Sequence, residues 1–172
     1  AQAHPSWLCC IAPISVVSVA ICFHKIMNKS DIQKFRIDIV SNEVSALSML
    51  LSRDGTLGRQ GNGVLPPDPI AVMGQTDGKV FNTLIDLLDE KVFPHADVYD
   101  HPHKIGIPLT VSVVFMGKDE KDIAIFEFSF GSETPDVGEL LPYFDMFIGQ
   151  AIALTDAWYA AEKARLTGAT KH

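Results

Sequence analysis

The sequence predicts an α+β fold in which an antiparallel sheet of four to five strands carries two helices on one face, a two-layer sandwich. Two observations lead to this prediction. Residues 107–116 and 123–130 alternate between apolar and other side chains, as the strands of a half-buried hairpin do. Two further segments, starting near residues 76 and 134, carry apolar residues at helical spacing. The predicted element order is β-β-(β)-α-β-β-α, a single domain over residues 27–172.

The central hairpin has the clearest pattern. A charged turn at residues 117–122 joins its two arms. Side chains of one arm that share a face are Ile107, Leu109, Val111, Val113 and Phe115, and those of the other are Ala124, Phe126, Phe128 and Phe130. Since one face is this apolar, it must be buried.

The segment before the hairpin predicts two strands, at residues 35–39 and 44–53. Asp54-Gly55 then predicts a type I′ hairpin leading into a short third strand. Residues 58–75 are rich in glycine and proline, and this composition predicts a long connection without regular structure. Residues 95–104 are predicted to be a polar crossing.

The first predicted helix runs from Thr76 or Asp77 to about Lys91. The second opens at Thr134-Pro135, restarts or kinks at Pro142 and continues to about Leu166. No charge falls between Asp145 and Asp156, so this helix is expected to be buried on most sides. It would lie between the sheet and the first helix, or form part of an oligomer interface.

Residues 1–26 form an apolar leader that we exclude from the fold. It has three interpretations: translated upstream sequence before a bacterial start at Met27, a membrane anchor over residues 5–23, or a cleaved export signal. The first places the protein in the cytoplasm, and the others anchor it in a membrane or export it.

Charge and cysteine content exclude several functions. The net charge is −7 and no cluster of Lys and Arg occurs, which argues against nucleic-acid binding. All three cysteines lie within the first 22 residues, so the remainder has neither a disulfide framework nor a cysteine nucleophile.

Two stretches are candidates for ligand binding. Arg53 and Arg59 flank a glycine-rich bend and could hold a carboxylate or phosphate, although no phosphate-binding or dinucleotide motif is present. The competing interpretation makes both arginines solvated or Asp-paired surface charges. His101 and His103, in the histidine-rich loop 95–103, suit a metal, but without a standard ligand spacing a polar loop is the simpler interpretation.

These observations favour a small acidic protein that binds a protein partner without catalysis, as an immunity, accessory or regulatory factor, or that self-associates through its last helix. No catalytic residue, metal or cofactor is predicted. The alternative is a small-ligand, anion or metal-binding or hydrolytic domain in which Arg53, Arg59, His101 and His103 converge at one end of the sheet.

Overall fold

The computed structural model describes residues 26–119 and 121–169 and shows an α+β fold with a seven-stranded mixed sheet and two main helices. The strands are β1 (Lys34–Ser41), β2 (Val44–Ser52), β3 (Thr56–Gly61), β4 (Ala71–Gln75), β5 (Asp97–Asp100), β6 (Pro108–Met116) and β7 (Ile123–Gly131). The helices are α1 (Lys79–Leu87) and α2 (Leu140–Ala169). Two short 3₁₀ helices cover Lys29–Asp31 and Glu90–His95.

The strand order in the sheet is β4-β3-β2-β1-β6-β7-β5. Every neighbouring pair is antiparallel except β5 and β7, which run parallel. The central hairpin forms as predicted, with Phe115 opposite Ala124 and Val113 opposite Phe126. The α+β class is therefore confirmed, whereas a purely antiparallel sheet of four to five strands is wrong.

The strands that the prediction missed are the two at the sheet edges. Strand β4 lies inside the predicted connection 58–75, and β5 lies inside the predicted polar crossing. Only Val72 is buried in β4, and all four residues of β5 are exposed. Because neither strand has two buried alternate positions, neither produces the period-two signal from which strands are predicted.

The type I′ turn lies between β1 and β2 rather than at the predicted position between β2 and β3. Asn42 and Glu43, between β1 and β2, both have positive φ angles of 49° and 66°, as a type I′ turn requires. Between β2 and β3 only Gly55 has a positive φ, and its N–H donates to the Ser52 carbonyl. This is the three-residue loop in which a left-handed glycine follows a type I turn, so the predicted type I′ turn at Asp54-Gly55 is wrong.

Both helices lie near their predicted positions, but the residues at which they begin or end differ from the prediction. Helix α1 starts later, after an Asp77 side chain that accepts from the Lys79 N–H, and it stops at Leu87 because Leu88 is extended. Helix α2 starts at Leu140 rather than at Thr134. Pro142 therefore lies in its first turn, where an N–H has no helical acceptor to lose.

An aromatic core holds both helices on one face of the sheet, as predicted. Phe35 of β1 stacks on Phe81 of α1, with ring centroids 5.6 Å apart. Phe126 of β7 contacts Phe144 of α2 at 4.5 Å. The opposite face of the sheet, called the outer face below, carries neither α1 nor α2.

Helix α2 is buried along one stripe only, which corrects the expectation that it is buried on most sides. The stripe comprises Leu141, Phe144, Phe147, Ile148, Ala151, Thr155 and Tyr159. The other side, which includes Met146 and Leu154, is exposed. The uncharged run includes exposed small residues such as Gly149 and Ala153, so the absence of charge does not indicate burial.

Within the described part of the chain, no helix has the length and apolar character needed to cross a bilayer. The predicted anchor at residues 5–23, like all of the apolar leader except Ile26, lies outside the described residues.

Replacing Glu43 with glycine is predicted to stabilise the protein by about 1 kcal/mol, because glycine adopts a positive φ without the steric cost that a side chain incurs. Urea unfolding at pH 7 measures the change. Glu43→Ala removes the same carboxylate but keeps a Cβ, so it should not stabilise. Equal stabilisation by both variants would contradict the assigned turn.

Candidate functional site

Arg59, a predicted ligand-binding residue, is buried between β3 and α2 with only 2% of its surface exposed. An arginine side chain carries five N–H groups. Here each has an acceptor: the Gly61 and Ile152 carbonyls, Thr155 Oγ1 at 2.8 Å, Asn62 Oδ1 at 2.6 Å and the Asp156 carboxylate at 2.8 Å. No donor of Arg59 is left for an anion.

Tyr159 of α2 extends this contact to the loop between β3 and β4. Its ring lies 4.6 Å from the Arg59 guanidinium carbon. Its hydroxyl accepts from the Gly61 N–H and donates to the Ile70 carbonyl. Lys163, also above the ring, pairs with Asp68 of the loop. Arg59 is paired with an aspartate, Asp156, as one interpretation expected, but it is buried rather than a surface charge and connects α2 to β3.

Arg53, the other predicted arginine, contacts a different part of the structure from Arg59. Its Nε and one terminal nitrogen donate to the Ile32 carbonyl at 3.0 and 2.7 Å. Its guanidinium lies over the Phe81 ring at 5.2 Å. The side chain therefore links the β2–β3 turn to the chain that enters β1 and to α1.

His101 and His103 follow β5, at the opposite edge of the sheet from β3. Five inter-strand steps separate β3 from β5, so the two strands lie about 24 Å apart. The structure therefore does not bring the four predicted residues together. The His103 N–H donates to Nδ1 of His101 at 3.1 Å. Among the described residues, no three His, Cys, Asp or Glu side chains form a group that could hold a metal ion.

A groove of about 690 Å³ lies beside the start of β7 and is called the edge groove below. Residues 26–27, 93–94 and 96–98 and residues 121–125 line it. Three carboxylates, those of Asp31, Asp97 and Asp122, and one ammonium, that of Lys121, are part of its lining. It is an apolar groove with an acidic rim.

The outer face of the sheet adjoins this groove. Val98, Ile123 and Ile125 are exposed to 55%, 46% and 40%, and each also lines the groove. Val114 and Met116, the cross-strand partners of Ile125 and Ile123, are half-buried beside them. The five side chains form one apolar patch across β5, β7 and β6.

A second cavity, the aromatic pocket, lies past the other end of β5 and has a volume of about 460 Å³. Its lining residues are 98–102, 128–130, 136–138 and 141, and they include His101. The Tyr99 ring stacks on Phe128 at 5.2 Å with an interplanar angle of 9°. Its hydroxyl donates to the His95 carbonyl. Partial burial raises the pKa of Tyr99, and the nearby Asp97 carboxylate raises it further.

Comparison with known proteins gives no relative. No protein-family model matches this chain, and no curated protein and no solved structure matches it either. Function is therefore inferred from the geometry of the chain itself.

Arg59→Met is predicted to lower the free energy of unfolding by about 3 kcal/mol, because it leaves the Ile152 carbonyl and Thr155 hydroxyl without their charged donor. Asp156→Asn is the matched control. The Asp156 side chain is 59% exposed and asparagine keeps an oxygen that can accept from Arg59, so this change should cost less than Arg59→Met does. Urea unfolding at pH 7 that gives equal losses would refute the role assigned to Arg59.

Asp68→Asn is predicted to destabilise the protein in a pH-dependent way. The Lys163 ammonium, and then the Ile70 N–H, hold the pKa of Asp68 below its usual value. Such a carboxylate stabilises the folded state above its unfolded pKa of about 3.9, and this contribution is lost as the pH falls through the folded pKa. Wild type and variant should therefore differ at pH 7 and converge in acid.

Thermal or urea unfolding between pH 2 and pH 7 follows this convergence. Asp86→Asn removes one negative charge from the exposed surface of α1 and reports the effect of charge alone. A gap between wild type and Asp68→Asn that persists unchanged at pH 2 would show that the Asp68–Lys163 pair is not its cause.

Proposed function

We propose that this chain is a non-enzymatic factor that binds a protein partner through the apolar patch of the outer face and the edge groove. The observation that carries the proposal is the continuity of these two features, since Val98, Ile123 and Ile125 belong to both. An immunity, accessory or regulatory role would use the same contact.

The patch supports binding because its apolar side chains are contiguous. Single exposed apolar residues are ordinary on protein surfaces, whereas a continuous patch with a polar rim is typical of an interaction site. The exposed side of α2 differs in this respect. Met146 and Leu154 are eight positions apart there, and the exposed residues between them are Gly149, Gln150 and Ala153. We therefore favour the sheet over α2, including for self-association.

The edge of β7 offers main-chain hydrogen bonds as well. Strand β5 pairs with residues 126–129 of β7, so residues 123–125 have no strand neighbour on that side in the described structure. The Asp122 carbonyl accepts from the Gly117 N–H of the β6 side. Because backbone groups alternate in direction along a strand, those of Ile123 point away from β6 towards the groove. An extended segment can pair with such an edge.

The charge of the edge groove indicates what kind of extended segment would bind there. The rim of the edge groove carries three carboxylates against one ammonium, and the whole chain has a net charge of −7. Opposite charge on a partner speeds association and fixes its register. We therefore propose as occupant an extended segment of a basic protein, with apolar side chains alternating with Lys or Arg.

The double variant Ile123→Thr, Ile125→Thr tests the proposal. Threonine keeps the β-branched shape that suits a strand but removes apolar surface. The matched control is Val44→Thr, an exposed position in β2 away from the groove. A basic protein from the native host should be captured by wild type and by Val44→Thr, and not by the double variant.

The captured protein, once purified, should bind wild type at least about tenfold more tightly than the double variant, and binding should weaken as salt is raised. Cross-linking through Lys121, in the groove lining, should give the same partner. The proposal is wrong if no protein remains bound to wild type at moderate salt. It is also wrong if the double variant binds the partner as tightly as wild type while circular dichroism shows that the variant is folded.

A further inference from the structure

We propose that the aromatic pocket binds a small amine with an aromatic or aliphatic body. This site is separate from the protein-binding surface proposed above, since its lining shares only Val98 with that of the edge groove. It also differs from the ligand site expected from the sequence, because neither Arg53 nor Arg59 contributes to it.

The size and lining of the pocket fit a small organic molecule. Ligand pockets have volumes of about 300–1,000 Å³ and are lined mostly by apolar and aromatic side chains with a few polar groups. This one measures about 460 Å³. Its apolar lining consists of Val98, Tyr99, Pro102, Phe128, Phe130, Val137 and Leu141.

Contacts with the core and with the main chain fix the position of the aromatic rings that line the pocket. Phe128, on which Tyr99 stacks, is buried and lies 6.0 Å from the ring of Phe144 in α2. Tyr99 is fixed at its other end by the hydrogen bond to the His95 carbonyl. A ring that is already immobilised loses little entropy when a ligand binds against it.

The charge of the pocket selects a cation. Asp100 is paired with Lys104, 2.5 Å away. Asp136, by contrast, is exposed, forms no hydrogen bond or ion pair with another residue of the described chain and has a positive φ of 53°. Its carboxylate can accept a charge-assisted hydrogen bond from an ammonium group. The faces of aromatic rings such as Tyr99 attract cations as well.

One feature of the fold would favour an anion in the pocket rather than a cation. Leu141 lines the pocket in the first turn of α2, and the N-terminus of a helix favours anions. A test must therefore compare an amine with an acid of similar shape. The three probes are 2-phenylethylamine, 2-phenylethanol and 3-phenylpropanoate, titrated at pH 7 into the full chain labelled with ¹⁵N and observed by NMR.

The amine should shift amide signals around Tyr99, Phe128 and Leu141, and it should bind about tenfold more tightly than the alcohol. Asp136→Asn should weaken binding of the amine about tenfold and leave binding of the alcohol unchanged. Asparagine tolerates a positive φ as aspartate does, so this variant should keep the loop conformation. Asp86→Asn, with the same loss of charge on α1, should bind all three probes as wild type does.

Four results would overturn the proposal: binding of 3-phenylpropanoate as tight as that of the amine, shifts located elsewhere, no shift with any probe, or amine binding unchanged in Asp136→Asn. None of these results bears on the protein-binding surface, because the Ile123 and Ile125 variants leave the aromatic pocket intact. The two proposals can therefore fail independently.

Discussion

The concentration of large aromatic rings on one face of the central strands is the constraint on which the rest of the structure depends. Phe35, Phe115 and Phe126 lie on neighbouring strands and contact rings of both helices. Burying this many rings is the dominant favourable contribution to folding, so α1 and α2 must both cover the same face. The outer face then has neither main helix, and its exposed apolar side chains become available to another molecule.

The two halves of α2 are held in different ways. Its first half packs through Phe144 and Phe147 against the aromatic core, whereas its second half is fastened by the polar network of Arg59 and Tyr159. A buried arginine is tolerated only where its donors are satisfied, and all five are satisfied here. The fold itself therefore uses the arginine that a sequence pattern presents as a candidate for ligand binding.

The features predictable from the sequence are those whose signal is local. The period of two in β6 and β7 and the apolar spacing in α1 depend on residues within one element, and both predictions are confirmed. The partners of Arg59 in α2 are more than 90 positions away, so no nearby pattern reveals its burial. Strands β4 and β5 depend on the neighbours they pair with. The aromatic pocket likewise draws on three separate stretches of chain.

Both proposed sites follow from the shortness of β5. Four residues of this strand cover residues 126–129 of β7, although β7 runs from Ile123 to Gly131. Before Asp97 the start of β7 is left unpaired, and the edge groove lies there. After Asp100 the His101 N–H still donates to the Ser129 carbonyl, and residues 98–102 line the aromatic pocket together with residues 128–130 of β7. A strand long enough to pair with all of β7 would occupy the edge that the groove exposes. The short parallel strand, which the sequence does not reveal, thus lies beside both proposed sites.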